Sequence, residues 1–230
     1  MLKAPELSDE LKEFCSDFST DVNNFRPSYW DAEENGDLQK YKKFVKDHYK
    51  VNQNYTCVYC RQRIVVENNS AWDLEHIVPK NLRPEWMLLG NNLCIACKDC
   101  NNHKSDKNTL VNKRLKKYPS NKDAFLIFHP HFDDYDTHIN VVSEGEFYFP
   151  RTNKGLKTYD YCGLSRFFLK LADINSSADG YDFLMLKVVT EITETEDLNT
   201  RASLLSLLSG LFNKATKVNS MKQMENLIGS

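Results

Sequence analysis

The chain has 230 residues, 41% of them hydrophobic and 27% charged, with a formal net charge of −2. That balance excludes wholesale disorder and leaves enough apolar material for a real core. No apolar run approaches the roughly 18 residues of a membrane helix, and no signal-like stretch opens the sequence, so a cytoplasmic protein with no membrane partner is expected.

Charge is unevenly spread. Residues 1–40 hold ten acids and four bases, whereas 98–118 hold seven bases against Asp99 and Asp106. A basic segment on a near-neutral chain is compatible with phosphate binding. In chain order, Leu7, Leu11, Phe14 and Phe18 predict an amphipathic helix over 6–18. Pro27 and an acidic run mark a loop over 23–36, and Leu38, Tyr41, Phe44, Val45 and Tyr49 predict a second helix over 37–49. Residues 55–66 and 71–78 are short and β-rich, and 101–117 reads as a polar, basic helix. Beyond Pro119, 124–128 is a short apolar strand or helix end and 129–137 a polar loop. Residues 139–149 alternate around Gly145 as in a hairpin. Helix is expected over 157–172, helix or strand over 182–193, and one or two helices over 198–228. The predicted class is α+β, a small β-containing centre with flanking helices. Three regions are expected: a helical 1–50, a central 51–118, and a hairpin-and-helix region over 119–230.

The seven cysteines are the strongest local signal, because five of them fall between positions 57 and 100. An odd count with no secretory context argues for reduced thiols with a task rather than for disulfides. Cys57-Val-Tyr-Cys60 and Cys97-Lys-Asp-Cys100 each have the two-residue spacing that turns two sulfurs toward one ion. Two such turns complete a tetrahedral four-cysteine site for structural Zn2+. A redox C-x-x-C needs only one pair, so it is the weaker alternative. Cys94 is an alternative ligand, otherwise a buried thiol like Cys15 and Cys162.

Between the two clusters runs Trp72-Asp73-Leu74-Glu75-His76-Ile77-Val78-Pro79-Lys80, then Gly90-Asn91-Asn92-Leu93, and the second cluster continues as Asn101-Asn102-His103-Lys104. This ordered set resembles the HNH endonucleases, zinc-stapled ββα-metal nucleases with an acid–His pair, a later Asn-Leu, and a C-x-x-C followed by Asn or His and then Lys. The resemblance implies a central ββα-metal core and hydrolysis of phosphodiester bonds in DNA, with RNA an alternative substrate. His76 matches the general base, a role suited to a side chain that titrates near neutrality. Glu75 and Asn101 match the ligands of a catalytic divalent ion, Mg2+ or Mn2+, which prefers hard oxygens. Asn92 matches the Asn that braces the loop and orients the histidine. Asp73 competes with Glu75, since strand alternation puts both on one face, and His103 competes with Asn101. Lys104 matches the family's phosphate-contacting Lys. Lys107, Lys113 and Arg114 would follow it along the nucleic-acid backbone.

Residues 129–138 are rich in metal-capable side chains, but they lack helical ligand spacing and read as a polar loop. That stretch, with Thr152-Asn-Lys-Gly155 and Leu164-Ser-Arg166, more loosely resembles the HNH component of Septu-type and retron-linked anti-phage systems. This implies a defence effector controlled by an ATPase partner subunit, since the chain has no Walker-type loop of its own. The apolar run 204–212 reads as a core helix, with a surface for a partner or a second copy of the chain as the alternative. A different functional class is a zinc module that binds nucleic acid or protein without catalysis. Such a module is expected to have lost Glu75, His76 or Asn101, and none is missing.

Overall fold

The computed structural model describes residues 1–66, 69–143, 147–167 and 178–228. The chain divides into two units, Met1–Tyr135 with Asp160–Gly163, and Asp136–Tyr159 with Leu164–Ser230.

In the first unit, α1 (Asp9–Thr20) starts at Ser8, whose hydroxyl caps the Leu11 amide, and it buries Leu11 and Phe18. α2 (Gly36–Asn52) is capped by Asn35, which accepts from the Leu38 amide at 3.0 Å. Its buried residues Leu38, Tyr41, Val45 and Tyr49 recur at three- and four-residue steps, the stripe one helix face requires. The Tyr41 and Tyr49 hydroxyls donate to the Leu88 and Gly90 carbonyls, tying α2 to the loop ahead of the second strand. β1 (Trp72–His76) pairs antiparallel with β2 (Leu93–Cys97), Trp72 opposite Cys97 and His76 opposite Leu93. α2 and α3 (Lys98–Lys104) pack against this two-stranded sheet, and every residue of β2 is buried.

Two expectations for this unit change. Residues 55–66 form no strand; a single bridge joins Thr56 to Arg63, and Asn54, Tyr55 and Arg61 adopt positive φ around a tight turn. The turn curls Cys57 and Cys60 toward one point, which extended backbone cannot do. The long basic helix is also absent: α3 ends at Lys104 and Ser105 turns left-handed at φ +47°. Beyond it the Asn108 and Asn112 side chains accept from amides two residues on, a local bond that competes with helix.

The second unit begins with α4 (Tyr135–His138, Tyr135 itself lying in the first unit) and an antiparallel hairpin of β3 (Ile139–Ser143) and β4 (Phe147–Pro150), with a register shift between Val141 and Ser143. Gly145 lies outside the described residues. α5 spans Asn153–Tyr161, earlier than expected, and 168–172 of the predicted helix lie outside the described residues. Gly155 has a steric reason: a Cβ there would collide with the His138 carbonyl oxygen. α6 (Ala178–Glu194) and α7 (Leu198–Ile228) pack along each other, so 198–228 is one helix. Their core joins Phe149, Tyr181, Leu184, Val188 and Ile192 to Leu204, Leu211 and Ala215. Four of the six large apolar residues of the 204–212 run face this core, Leu207 and Leu208 partly buried against it, while Leu205 and Phe212 are exposed. Among the described residues, no helix is long and apolar enough to cross a membrane.

Candidate active site and metal centre

The four cysteines Cys57, Cys60, Cys97 and Cys100 are buried, and their sulfurs all lie within 4.8 Å of one another. The Cys60 and Cys97 sulfurs are 3.8 Å apart. A disulfide would need about 2.05 Å. Four sulfurs at about 2.3 Å from a central Zn2+ stand about 3.8 Å apart at tetrahedral angles. The cluster therefore fits a structural Zn2+. Among the described residues it is also the only group of three or more Cys, His, Asp or Glu side chains gathered closely enough to hold an ion. Cys94 lies on β2 opposite Glu75, outside this group, and burial pushes its thiol well above the ordinary value.

β1 and α3 build the second centre. Asp73 and Glu75 share one face of β1 because they are two residues apart. Asn101 and Lys104 share one face of α3 because they are three apart. The two faces meet in register. Asn101 Nδ2 donates to Asp73 Oδ2 at 2.9 Å, and Lys104 Nζ lies 2.5 Å from Glu75 Oε1. The Tyr59 hydroxyl also donates to Glu75 Oε1, at 3.3 Å. Burial raises the Glu75 carboxyl above its usual range, against the pull of Lys104 and Tyr59.

Lys104 is thus a correction to the sequence reading. Its side chain is 1% exposed and turns inward, where Nζ also donates to the His76 carbonyl at 2.8 Å. The lysine contacts Glu75 rather than solvent because it is on the face of α3 that packs on β1. Lys107 lies over the Tyr161 ring and donates to the Tyr161 carbonyl. Lys113 and Arg114 are exposed on the loop after α3, and neither lines the clefts beside Asp73 and Asn101.

His76 ends β1 with 7% exposure. Its Nε2 is 3.1 Å from the Met87 carbonyl. A carbonyl only accepts, so Nε2 carries the proton and Nδ1 is the basic nitrogen. Burial lowers the imidazole pKa to about 3, which keeps the ring neutral near pH 7 and makes it a weaker base than free imidazole. The Trp30 ring meets His76 edge-on, centroids 4.4 Å apart. Asn92 is fully buried: it accepts from the Val78 amide at 2.8 Å and donates to the Val78 and Trp86 carbonyls, each at 3.1 Å. These bonds anchor the segment that follows His76. His103 points away from the centre, toward Gly163, where a Cβ would come within 2.5 Å of its ring.

Two open hollows flank the Asp73–Asn101 pair. One, about 330 Å3, is lined by Glu75, His76, Lys80, Asn101 and Lys104 among others. The other, about 500 Å3, is lined by Lys42, Lys43, Lys46, Asp47 and Asp73, and the two share Trp30, Leu74 and Asn101. Trp30 and these lysines escaped the sequence reading. A charge window ending at residue 40 cut α2 in two and hid the lysines beyond it.

The 129–138 stretch is irregular as far as Asp134, as expected of a polar loop, but much of it is buried. His129, His131 and Asp133 are buried, Asp133 accepting from the His129 amide and His129 bonding the Tyr118 hydroxyl at 2.8 Å. His131 Nε2 bonds the Leu93 carbonyl at 3.0 Å, while its Nδ1 is buried with no hydrogen-bond partner among the described residues.

The HNH endonuclease family model matches residues 57–107, from the first cysteine to just past α3. No curated protein and no solved structure matches the chain.

Proposed function

We propose that this chain, which carries an HNH endonuclease domain at residues 57–107, is a metal-dependent endonuclease that hydrolyses phosphodiester bonds in DNA. The observation that carries this reading is a neutral histidine of fixed tautomer ending β1, beside oxygen donors that β1 and α3 bring to the two hollows meeting at Asn101. His76 Nδ1 takes the proton from the attacking water, while its Nε2–H stays on the Met87 carbonyl and fixes the ring. Asp73, Glu75 and Asn101 offer the hard oxygens that suit Mg2+ or Mn2+ and would hold it between them. Such an ion, when bound, neutralises the charge that builds on the phosphorane. Asp73 joins Glu75 and Asn101 in this set because Asn101 bonds to it, whereas Lys104 already neutralises Glu75. The cysteine cluster takes no part in the chemistry; Zn2+ there would hold the 57–60 turn against the start of α3.

The looser resemblance over 50–170 supports a finer reading, a defence effector governed by an ATPase partner. Thr152 and Gly155, which contribute to it, also have a packing role of their own: the Thr152 hydroxyl bonds the His138 ring and caps the Gly155 amide.

Plasmid cleavage with Mg2+ or Mn2+ tests the reading, with wild type set against His76→Gln. Glutamine can keep a donor toward the Met87 carbonyl, which alanine cannot. A rate loss of about 10²–10⁴-fold is expected, with zinc content and melting unchanged. Equal cutting by both proteins would remove His76 from catalysis. No cutting by wild type would favour the non-catalytic zinc module.

A further inference from the structure

Within the matched domain, the lysines near the cleft already have partners. Lys80 pairs with Asp31 at 2.6 Å, Lys98 with Asp73 at 3.6 Å, Lys104 is buried on Glu75, and Lys107 lies on Tyr161. A phosphodiester presented to His76 carries charge on both sides of the cut bond. The larger hollow supplies counter-charge from a different element. Gln39, Lys42 and Lys46 follow one another at three- and four-residue steps along the flank of α2 and line the hollow that opens onto Asp73 and Asn101. Lys42 stands 4.9 Å from the centre of the Trp30 ring, the ring whose edge meets His76. Lys43 lines the same hollow, paired with Asp47 at 2.7 Å. The hollow has more polar than apolar wall and is open to solvent, which suits a strand passing through better than an enclosed small molecule.

Resting on the nuclease reading, we infer that the Lys42–Lys46 flank of α2, outside the HNH match, is the surface that grips the DNA backbone leading into the site. The strand enters along α2, crosses Trp30 and brings its scissile phosphate to Asp73, Asn101 and His76. Half-burial of the Lys42 charge is costly and pushes its pKa down, with Asp31 and Glu33 pulling the other way. A phosphate alongside would offset that cost. The acidity of residues 1–40 does not extend through α2. The acids are concentrated before α2, while residues 37–50 carry five lysines against Asp37 and Asp47.

The test is DNA binding by the full, zinc-loaded chain, measured by anisotropy on a labelled duplex without Mg2+ across a salt series. Each phosphate contact contributes roughly 0.9 to the slope of log affinity against log salt. Lys42→Gln with Lys46→Gln is expected to flatten that slope by about 1.8 and weaken binding on the order of 10- to 100-fold at 0.1 M salt. Lys113→Gln with Arg114→Gln should leave the slope unchanged. Zinc content and melting are followed in both. Should the α2 double variant misfold, Lys42→Arg with Lys46→Arg, which must retain the slope, and the single Lys46→Gln, which must lose about half of the change, carry the test. An unchanged slope in the α2 variants of a wild type that cuts DNA overturns the inference and leaves the nuclease standing. A slope lost only in the Lys113/Arg114 variant, or only on RNA, overturns it as well. A wild type that neither binds nor cuts DNA overturns both readings.

Discussion

Lys104 carries a charge into the interior of the first unit, and its surroundings show what that charge does there. It is 2.5 Å from Glu75 and bonds the His76 carbonyl, so one side chain spans two of the residues assigned to the chemistry. Removing one member of a buried pair strands the other, at a cost of about 3–5 kcal/mol. Lys104→Met should therefore lower the melting temperature on the order of 10 °C. Adding Glu75→Gln should recover most of it, because no charge is then left unpaired. Thermal melts of the single and double variants check this, and a double variant no better than the single would mean the lysine acts through packing alone. His76 is held in the same manner: backbone on one nitrogen, the Trp30 ring packed T-shaped against the imidazole, and Asn92 on the segment that follows.

At the scale of elements, the site depends on register. β1 advances about 6.6 Å over two residues and α3 about 4.5 Å over three, close enough for Asp73 to meet Asn101 while Glu75 meets Lys104. The cysteine cluster sets that register, since Cys97 ends β2 and Cys100 lies in the first turn of α3. Cys97→Ser should then lose zinc and cleavage together. Cys94→Ser, three residues earlier and outside the cluster, should keep its zinc. Metal analysis and cleavage assays on the two variants separate these outcomes; equal zinc in both would mean the cluster is not the metal site.

At the scale of the molecule, each unit has its own core. The cysteine cluster belongs entirely to the first, while the cluster around Leu184, Val188 and Leu211 belongs entirely to the second. Strong chelation should consequently remove one calorimetric transition and leave another, because metal binding free energy is folding free energy only where the ligands are. A single transition that shifts as a whole on chelation would show that the units unfold together.

The sequence alone determined what depends on spacing. Two C-x-x-C pairs define a tetrahedral thiolate set wherever the chain between them runs. The ordered Glu75-His76, Asn92 and Asn101 carry the resemblance to the HNH family, and the apolar periods of 6–18 and 37–49 located α1 and α2 to within a few residues. Tertiary structure decided what depends on which way a side chain faces. Lys104 reads as a surface lysine until β1 packs on its face of α3. His129 and His131 read only as part of a polar loop until packing buries them, with Tyr118 on the His129 ring and the Leu93 carbonyl on His131 Nε2. The basic run after α3 reads as helix until Ser105 and two asparagines offer the backbone local bonds instead. Trp30 and the α2 lysines reach the site from residues distant in sequence, a juxtaposition that pattern within a window cannot contain. A side chain's type is local; its neighbours and its charge environment are products of packing.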